Sequence, residues 1–139
     1  MDTDQINQPS LRVMLVDDHG VVRAGIRRLL EQEPHIDVVA EADSGEKAYQ
    51  LFGQHLPDIT VMDINMPGMG GFEATRRLLS VDGTIIIVIL TVYKEEPYPT
   101  RLLRAGALGY ITKGCSLDEM INAIRTVYFG RRYISAEVA

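Results

Sequence analysis

An apolar segment that stops abruptly at two acidic residues is the most informative pattern in this sequence. Residues 14–16 lead directly into Asp17 and Asp18, and a second apolar segment, residues 59–62, leads into Asp63. Adjacent carboxylates repel each other, and a bound cation relieves that repulsion. The acids therefore predict a cation site, provided that the two segments lie side by side.

Two more apolar segments end on side chains that suit a phosphoryl group. Residues 85–90 precede the hydroxyl of Thr91, and residues 108–112 precede the ammonium group of Lys113. If the four segments are neighbouring parallel strands, their carboxyl ends gather these groups and the three carboxylates in one crevice, which is where open α/β sheets bind ligands. This set of groups suits a divalent cation together with a phosphoryl group.

Each of these residue types has a distinct chemical role. Magnesium prefers oxygen ligands and usually takes only one or two carboxylates, which Asp18 and Asp63 could supply while Asp17 acts through a water molecule. Asp63 is the isolated acid and the predicted nucleophile, which would become an acyl phosphate. Lys113 would pair with one phosphate oxygen, and the Thr91 hydroxyl would donate to another.

Short apolar strands alternate with amphipathic helices from residue 11 onwards. Predicted strands cover residues 11–17, 36–42, 58–63, 84–90 and 108–112, and predicted helices cover residues 20–32, 45–55, 71–80, 98–105 and 117–128. This alternation predicts an α/β fold with a parallel sheet and helices on both faces. Ser44 is a predicted N-cap for the second helix, and Ser116 with Glu119 forms a predicted capping box for the last one.

Length and composition narrow the class of protein. A chain of 139 residues with 46% hydrophobic and 24% charged residues is ordinary for one soluble domain. A net charge of -5 argues against direct binding to nucleic acid. Cys115 is the single cysteine, so no internal disulfide is possible, and without a signal peptide or a long apolar segment we expect a cytoplasmic protein that does not contact a membrane.

The ordered set of motifs resembles the receiver domain of bacterial two-component response regulators. The resemblance covers residues 11–129 and rests on Asp17 and Asp18, Asp63 followed by Asn65, Met66, Pro67, Gly68 and Gly71, Thr91, and Tyr110 three positions before Lys113. Within that family the segments VDDHGVVRAGIRRLL, MPGMGGFEATRRL and AGALGYITKG look most like the NarL/FixJ branch. The segment IRTVYFGRRYIS resembles the GacA/UvrY-type regulators.

The resemblance implies a CheY-like fold, in which a doubly wound five-stranded parallel sheet has the flavodoxin-like order 2-1-3-4-5 and five helices. It implies that a sensor histidine kinase or a phosphotransfer domain phosphorylates Asp63, and that Thr91 and Lys113 contact the phosphoryl group. The implied magnesium ligands are Asp17, Asp18, Asp63 and the backbone carbonyl of Asn65.

Tyr110, on the predicted edge strand, is the implied switch residue, which moves inward when Thr91 is drawn toward the phosphate. Two positions depart from the family pattern. Most receivers have a proline after the lysine, joined by a cis peptide, whereas Gly114 follows Lys113 here, and glycine does not favour a cis bond as proline does. Val92 is bulkier than the small residue common at its position and is expected to narrow the path of Tyr110.

The resemblance also predicts the boundaries of the domain. Residues 1–9 are predicted to be a flexible leader, residues 10–130 the receiver domain, and residues 131–139 the start of a linker. That linker would lead to a helix-turn-helix DNA-binding domain that is missing from this chain. The predicted function is a phosphorylated switch that regulates transcription, with self-catalysed phosphotransfer and dephosphorylation but no turnover of an external substrate.

A phosphorylation-linked homodimer is also predicted. The reason is a wide apolar stripe on the last two helices, which could cover more than the sheet needs: Leu102, Leu103, Met120, Ile121, Ile124 and Val127. The pairing surface would be either the first and last helices or the fourth and fifth. The alternative is that all six residues belong to the core.

Other readings of the key residues remain open at this point. A freestanding receiver without an output domain would act by binding a partner protein. A phosphatase of the haloacid-dehalogenase type also uses a nucleophilic aspartate, but it needs a second acid two residues later, where this sequence has Asn65. His19 after the acid pair is predicted to mark the entry to a helix rather than a metal ligand, because no partner histidine lies at helical spacing.

Overall fold

The computed structural model describes residues 10–138, so the predicted leader at residues 1–9 lies outside the described part. Strands and helices alternate along it. The strands are β1 (Leu11–Val16), β2 (Ile36–Ala42), β3 (Ile59–Met62), β4 (Ile87–Thr91), β5 (Gly109–Thr112) and β6 (Tyr133–Ile134). The helices are α1 (Gly20–Glu31), α2 (Gly45–His55), α3 (Gly71–Val81), α4 (Tyr98–Ala105) and α5 (Leu117–Tyr128).

The strands form one parallel sheet in the order β2-β1-β3-β4-β5-β6. The α/β class, the five helices and the order 2-1-3-4-5 are therefore confirmed. The sheet has one strand more than the predicted five, because Tyr133 and Ile134 of β6 pair with Gly109 and Tyr110. A two-residue strand is too short to show any periodicity in a sequence.

The short β6 changes the position of β5 in the sheet. Tyr110 lies on a strand with neighbours on both sides, so the prediction that it lies on an edge strand is wrong. Ser135, just after β6, is buried, and its N–H donates to the Tyr110 carbonyl at 2.9 Å. Residues in the predicted linker thus pack against the sheet, while the linker's continuation to a further domain stays a prediction.

The central strands are buried on both faces, as their continuous apolar runs indicate. Alternate side chains of β1 enter two separate cores. Val13 and Leu15 pack on the side covered by α1 and α5, whereas Met14 and Val16 pack on the side covered by α2, α3 and α4. This two-sided burial fixes the register of the strands and so the positions of the residues at their carboxyl ends.

Both predicted serine caps are present. The Ser44 hydroxyl accepts from the Lys47 N–H at 3.2 Å, and the Ser116 hydroxyl accepts from the Glu119 N–H at 3.1 Å. Each serine thereby satisfies one of the backbone donors left free in the first turn of a helix.

The fourth strand begins later than predicted. A turn holds Thr84, whose N–H and hydroxyl both donate to Asp82 Oδ1. β4 therefore starts at Ile87 and extends through Thr91. The shift places Thr91 within the strand rather than directly after it.

The apolar stripe of the last two helices is used by the core. Five of its six members are buried and Leu103 is partly buried, so the expectation of a surplus is wrong: Leu102, Met120, Ile121, Ile124 and Val127 are at most 6% exposed. The apolar side chains that do face solvent include Val21 of α1, which is 89% exposed. Within residues 10–138, no helix is long and apolar enough to cross a membrane.

Candidate functional site

The acids predicted to meet at the sheet edge do so because β1 and β3 are direct neighbours. Val16 pairs with Met62, and the Asp63 N–H donates to the Val16 carbonyl at 2.9 Å. Asp17 and Asp63 therefore lie side by side, each only 5% exposed. Asp18, one position further along, is partly exposed.

Lys113 connects the two buried acids. Its Nζ lies 2.7 Å from Asp17 Oδ2 and 3.2 Å from Asp63 Oδ2. The Lys113 N–H donates to the Thr91 carbonyl at 2.9 Å, which ties the residue after β5 to the end of β4. One ammonium group thus pairs with two carboxylates that would otherwise be buried together without a counter-charge.

Burial and charge act in opposite directions on these groups. Burial raises the pKa of Asp17, but hydrogen bonds from Lys113 and His19 outweigh it and leave that pKa below the ordinary value. Burial also raises the pKa of Asp63, and there Lys113 offsets the effect only in part, so the pKa stays above the ordinary value. Burial lowers the pKa of Lys113, but the hydrogen bond with Asp17 and the charge of Asp63 raise it overall.

The acidic end of β1 also fits a cation. One ligand atom from each of Asp17, Asp18, His19 and Asp63 lies within 4.8 Å of the others. Asp18 Oδ1 is buried and has no hydrogen-bond partner within the described residues. A buried carboxylate oxygen without a partner is costly, and a metal ion would satisfy it. Asn65 lies in the exposed loop two residues after Asp63, and its carbonyl as a further ligand stays a prediction.

His19 precedes the first residue of α1 and is its N-cap residue, in agreement with the predicted helix entry. The sequence interpretation missed the contacts of its ring. The His19 Nδ1 lies 3.1 Å from both Asp17 Oδ1 and Asp18 Oδ1. The geometry of the contact with Asp17 is that of a hydrogen bond, whereas the geometry of the contact with Asp18 is not. The signal was available, since a residue directly after two strand-end acids is placed to contact them.

Gly71 allows α3 to begin directly beside Asp63. A Cβ at this position would fall 1.9 Å from the Asp63 carbonyl oxygen. The Gly71 N–H donates to the Ile64 carbonyl at 2.8 Å, and the Ile64 N–H donates to Asp63 Oδ1 at 2.8 Å. This close approach of backbone to backbone explains why a glycine follows the Met66-Pro67-Gly68 turn.

Thr91 and Tyr110 lie on adjacent strands and share a connection through Tyr93. The Thr91 hydroxyl accepts from the Tyr93 N–H at 3.4 Å, while the Tyr110 hydroxyl donates to the Tyr93 carbonyl at 2.6 Å. The Tyr110 ring is fully buried, and burial raises the pKa of its hydroxyl, which keeps it a donor. The ring already occupies the inward position that the resemblance assigns to the phosphorylated state.

The two departures from the family pattern have small structural consequences. The Lys113–Gly114 peptide is trans, and the cis peptide found in residues 10–138 is Glu96–Pro97. Val92 is 63% exposed, so its bulk is directed largely into solvent. The structure therefore does not support the expected narrowing of the path of Tyr110.

Arg23 anchors the acid-bearing loop from α1, a role that sequence interpretation missed. Its guanidinium donates to the Asp17 carbonyl and, at 2.9 Å, to Glu41 on β2. Arg27, one helical turn later, pairs with the same Glu41. Burial raises the pKa of Glu41, but the hydrogen bonds from Arg27 and Arg23 lower it overall.

The fold and the arrangement of acids around Lys113 are those of a receiver domain. The chain belongs to the response regulator receiver domain family, whose model matches residues 13–125.

Its relatives narrow the branch of the family. The response regulator GacA of Pseudomonas aeruginosa is 50% identical to this chain, with 93% of this chain and 60% of GacA covered. The response regulator UvrY of Escherichia coli K12 is 46% identical, with 93% and 59% covered. The chain thus spans about three fifths of the length of these two relatives.

The fold similarity extends to a solved structure. The crystal structure of a two-component response regulator of the LuxR family from Aurantimonas sp. superposes with a TM-score of 0.89 at 43% identity. The match covers 93% of this chain and 92% of that one. These comparisons confirm the resemblance to GacA/UvrY-type receivers that the motifs indicate.

Proposed function

We propose that Asp63 accepts a phosphoryl group from the phosphohistidine of a sensor histidine kinase or a phosphotransfer domain. The observation that carries this proposal is the position of the Lys113 ammonium, 3.2 Å from the buried Asp63 carboxylate at the carboxyl end of β3. An Asp63 oxygen forms a bond to phosphorus while the phosphorus–nitrogen bond of the donor breaks and the imidazole leaves with that electron pair. The product is an acyl phosphate.

The neighbouring residues stabilise the phosphoryl group. Lys113 pairs with one of its oxygens, and the Thr91 hydroxyl donates to another. Asp17, Asp18, Asp63 and the Asn65 carbonyl would hold a magnesium ion. When bound, that ion offsets the repulsion between the carboxylates and the incoming phosphoryl group.

The phosphorylated domain acts as a switch. The phosphoryl group attracts the Thr91 hydroxyl and shifts it. This shift passes through the hydrogen bonds of Tyr93 to Tyr110, and so to the surface formed by α4, β5 and α5. A ligand shifts such an equilibrium only by interacting better with one state, and Thr91 and Lys113 are placed to sense the phosphate. The output is transcription, through the C-terminal helix-turn-helix domain that the sequence resemblance implies.

Phosphorylation also promotes pairing of two copies through the first and last helices. α1 and α5 cover the same face of the sheet. Val21, Val22 and Leu29 of α1 are exposed, as is the edge-to-face pair Tyr128 and Phe129 at the end of α5. By contrast, the apolar residues of α4 and the core-facing stripe of α5 are used by the sheet, which disfavours the α4–α5 alternative.

Phosphoramidate, a small donor with a phosphorus–nitrogen bond, tests the proposed chemistry. With magnesium, intact mass spectrometry should show one added phosphoryl group, and hydroxylamine should remove it as expected for an acyl phosphate. Asp18→Ala should accept far less, whereas exposed Asp37→Ala should match the wild type. No adduct in the wild type, or an adduct stable to hydroxylamine, contradicts the proposal.

The same sample separates the switch from the phosphatase alternative. A haloacid-dehalogenase type enzyme hydrolyses generic phosphate esters through repeated turnover, and Asn65 cannot act as its general acid. We expect no release of p-nitrophenol from p-nitrophenyl phosphate above the rate of Asp63→Ala. Sustained turnover by the wild type alone would favour an enzyme.

A further inference from the structure

A basic cleft lies between α3 and α4, and it shares no residue with the acidic site. It is an open surface groove with a volume of about 590 Å³. Guanidinium groups, an aromatic ring and aliphatic side chains line it. We call it the arginine cleft and define it by Phe72, Arg76, Leu79, Arg101, Arg104 and Ala105.

Two guanidinium groups lie near the Phe72 ring. The Arg101 guanidinium carbon lies 4.4 Å from the ring centre, and that of Arg76 lies 5.9 Å from it. Attraction between a cation and an aromatic ring restrains both side chains, although their like charges repel each other. An anion bound beside them relieves this repulsion and finds side chains that have already lost part of their conformational freedom.

The positive charge of the cleft is poorly compensated by the chain itself. Glu73 is shared between Arg76 and Arg77. Within residues 10–138, Arg101 and Arg104 form no ion pair with any carboxylate closer than 4 Å. Arg104 lies in the last turn of α4, where a cation stabilises the helix terminus, whereas Arg101 contacts the Phe72 ring and no carboxylate in the described part of the chain.

The shape of the cleft is set by a close contact at the end of α4. Gly106 has a φ of +112°, and a Cβ there would fall 2.7 Å from Leu79 Cδ1. The glycine thus lets the end of α4 lie directly on Leu79 of α3. Leu79 and Ala105 provide an apolar floor between the arginines.

From these observations we propose that the arginine cleft docks an acidic segment of a partner protein. Carboxylates of the segment pair with Arg101 and Arg104, since the planar guanidinium matches a carboxylate with two hydrogen bonds. An apolar side chain of the segment packs on Leu79 and Ala105. Arginine and aromatic side chains are the types that most often dominate protein–protein binding energy.

Charge favours a protein segment over a nucleic acid. The chain carries a net charge of -5, which repels a long polyanion approaching from any direction. Nucleic-acid binding also requires basic groups spread along a face to neutralise several phosphates. A short segment with two or three carboxylates needs only the local charge of the cleft.

The test measures fluorescence anisotropy of a fluorescein-labelled peptide with one Glu-Leu-Glu unit between flanking serine and glycine residues, titrated with the full chain. The wild type should bind, and the double variant Arg101→Gln/Arg104→Gln should bind at least about tenfold more weakly, because it removes two charge-assisted hydrogen-bonded pairs. The matched control Arg28→Gln/Arg131→Gln removes the same charge from exposed arginines outside the cleft and should bind like the wild type. Thermal melts confirm that both variants fold.

Three results overturn the proposal. The first is no binding of the peptide by the wild type. The second is an equal loss in the control, which would show that the loss follows from the overall charge of the chain and not from the arginine cleft. The third is preferential binding of a labelled single-stranded RNA, or complete competition by inorganic phosphate at low concentration, either of which would assign the cleft to a different ligand. Because the test needs no phosphorylation, it is independent of the function proposed for Asp63.

Discussion

Asp63 is buried beside a second acid, Asp17, and Lys113 provides a counter-charge for both. The raised pKa of Asp63 means that the folded state favours the protonated carboxyl more than the unfolded chain does. The stabilising effect of that proton is complete below the ordinary pKa of 3.8 and is lost as the pH rises through the higher folded value. At neutral pH the Asp63 carboxylate therefore costs stability, as residues kept for function often do.

We expect Asp63→Asn to raise the free energy of unfolding at neutral pH by about 1 kcal/mol. Urea denaturation without magnesium measures this gain, which should shrink as the pH falls and the wild-type carboxyl becomes protonated. Exposed Asp37→Asn should change the free energy little at either pH. A loss of stability in Asp63→Asn at neutral pH would show that the Lys113 pair outweighs the cost of burial.

Thr91 provides the second test at this scale. Beryllofluoride with magnesium should shift the amide resonances of Tyr93 and Tyr110 in the wild type, because the Thr91 hydroxyl senses the phosphoryl group. Thr91→Ala should lose most of these shifts while retaining those near Asp63. Thr75→Ala, which also truncates a fully buried threonine, is the matched control, and equal shifts in all three proteins would remove Thr91 from the switch.

The acids and Lys113 could be predicted from sequence because each follows an apolar strand, and parallel strands place their carboxyl ends together. The inward position of Tyr110 could not, since it depends on a hydrogen bond to the backbone of Tyr93, and backbone partners leave no mark in residue types. The same limit applies to Arg23, whose guanidinium donates to a backbone carbonyl. Contacts of that kind require the folded geometry.

At the scale of elements, β6 connects the carboxyl-terminal residues to the switch strand. Tyr133 donates from its N–H to the Leu108 carbonyl at 3.1 Å, and Ser135 donates to the Tyr110 carbonyl at 2.9 Å. Glu137 lies 3.1 Å from Lys94, in the loop after β4. The segment therefore contacts β5, which carries Tyr110, and the loop that follows β4, the strand that carries Thr91.

Replacing Ser135 separates the backbone contribution from that of the side chain. Ser135→Pro removes the N–H that donates to Tyr110 and should lower the free energy of unfolding by roughly 1 to 3 kcal/mol, because a buried carbonyl loses its donor. Ser135→Ala keeps that N–H and should cost less. Hydrogen exchange should be faster in β5 and β6 of the proline variant only, and equal exchange in both variants would show that the β5–β6 bonds contribute little.

Helices and long strands were predictable because their apolar periodicity extends over several turns or residues. The sequence predicts too early a start for β4 because Ile85 and Ile86 continue the apolar run, whereas the turn at Asp82 and Thr84 delays the strand. The burial of the apolar stripe on α4 and α5 could likewise not be predicted, since a sequence does not show how much of a helix face the sheet covers. Three-dimensional packing decides each of these points.

For the whole molecule, pairing through α1 and α5 predicts a specific pattern in sedimentation velocity. Beryllofluoride should shift the wild type from monomer toward dimer, and Val21→Asp should remain a monomer because a charge replaces an apolar contact. Val81→Asp changes another exposed valine, 66% exposed on α3, and should still pair. An unchanged monomer in every sample, or loss of pairing in Val81→Asp alone, would rule out the α1–α5 surface.

The identity of the phosphorylated residue is the most direct test of the account. Borohydride reduces an aspartyl phosphate to homoserine, so peptide mass spectrometry after phosphoramidate, magnesium and borohydride locates the modified position. We predict homoserine at position 63, none at Asp17 or Asp18, and none anywhere in Asp63→Ala. Homoserine at a different aspartate in the wild type, or equal labelling of Asp63→Ala, would contradict the assignment of Asp63 as the phosphoryl acceptor.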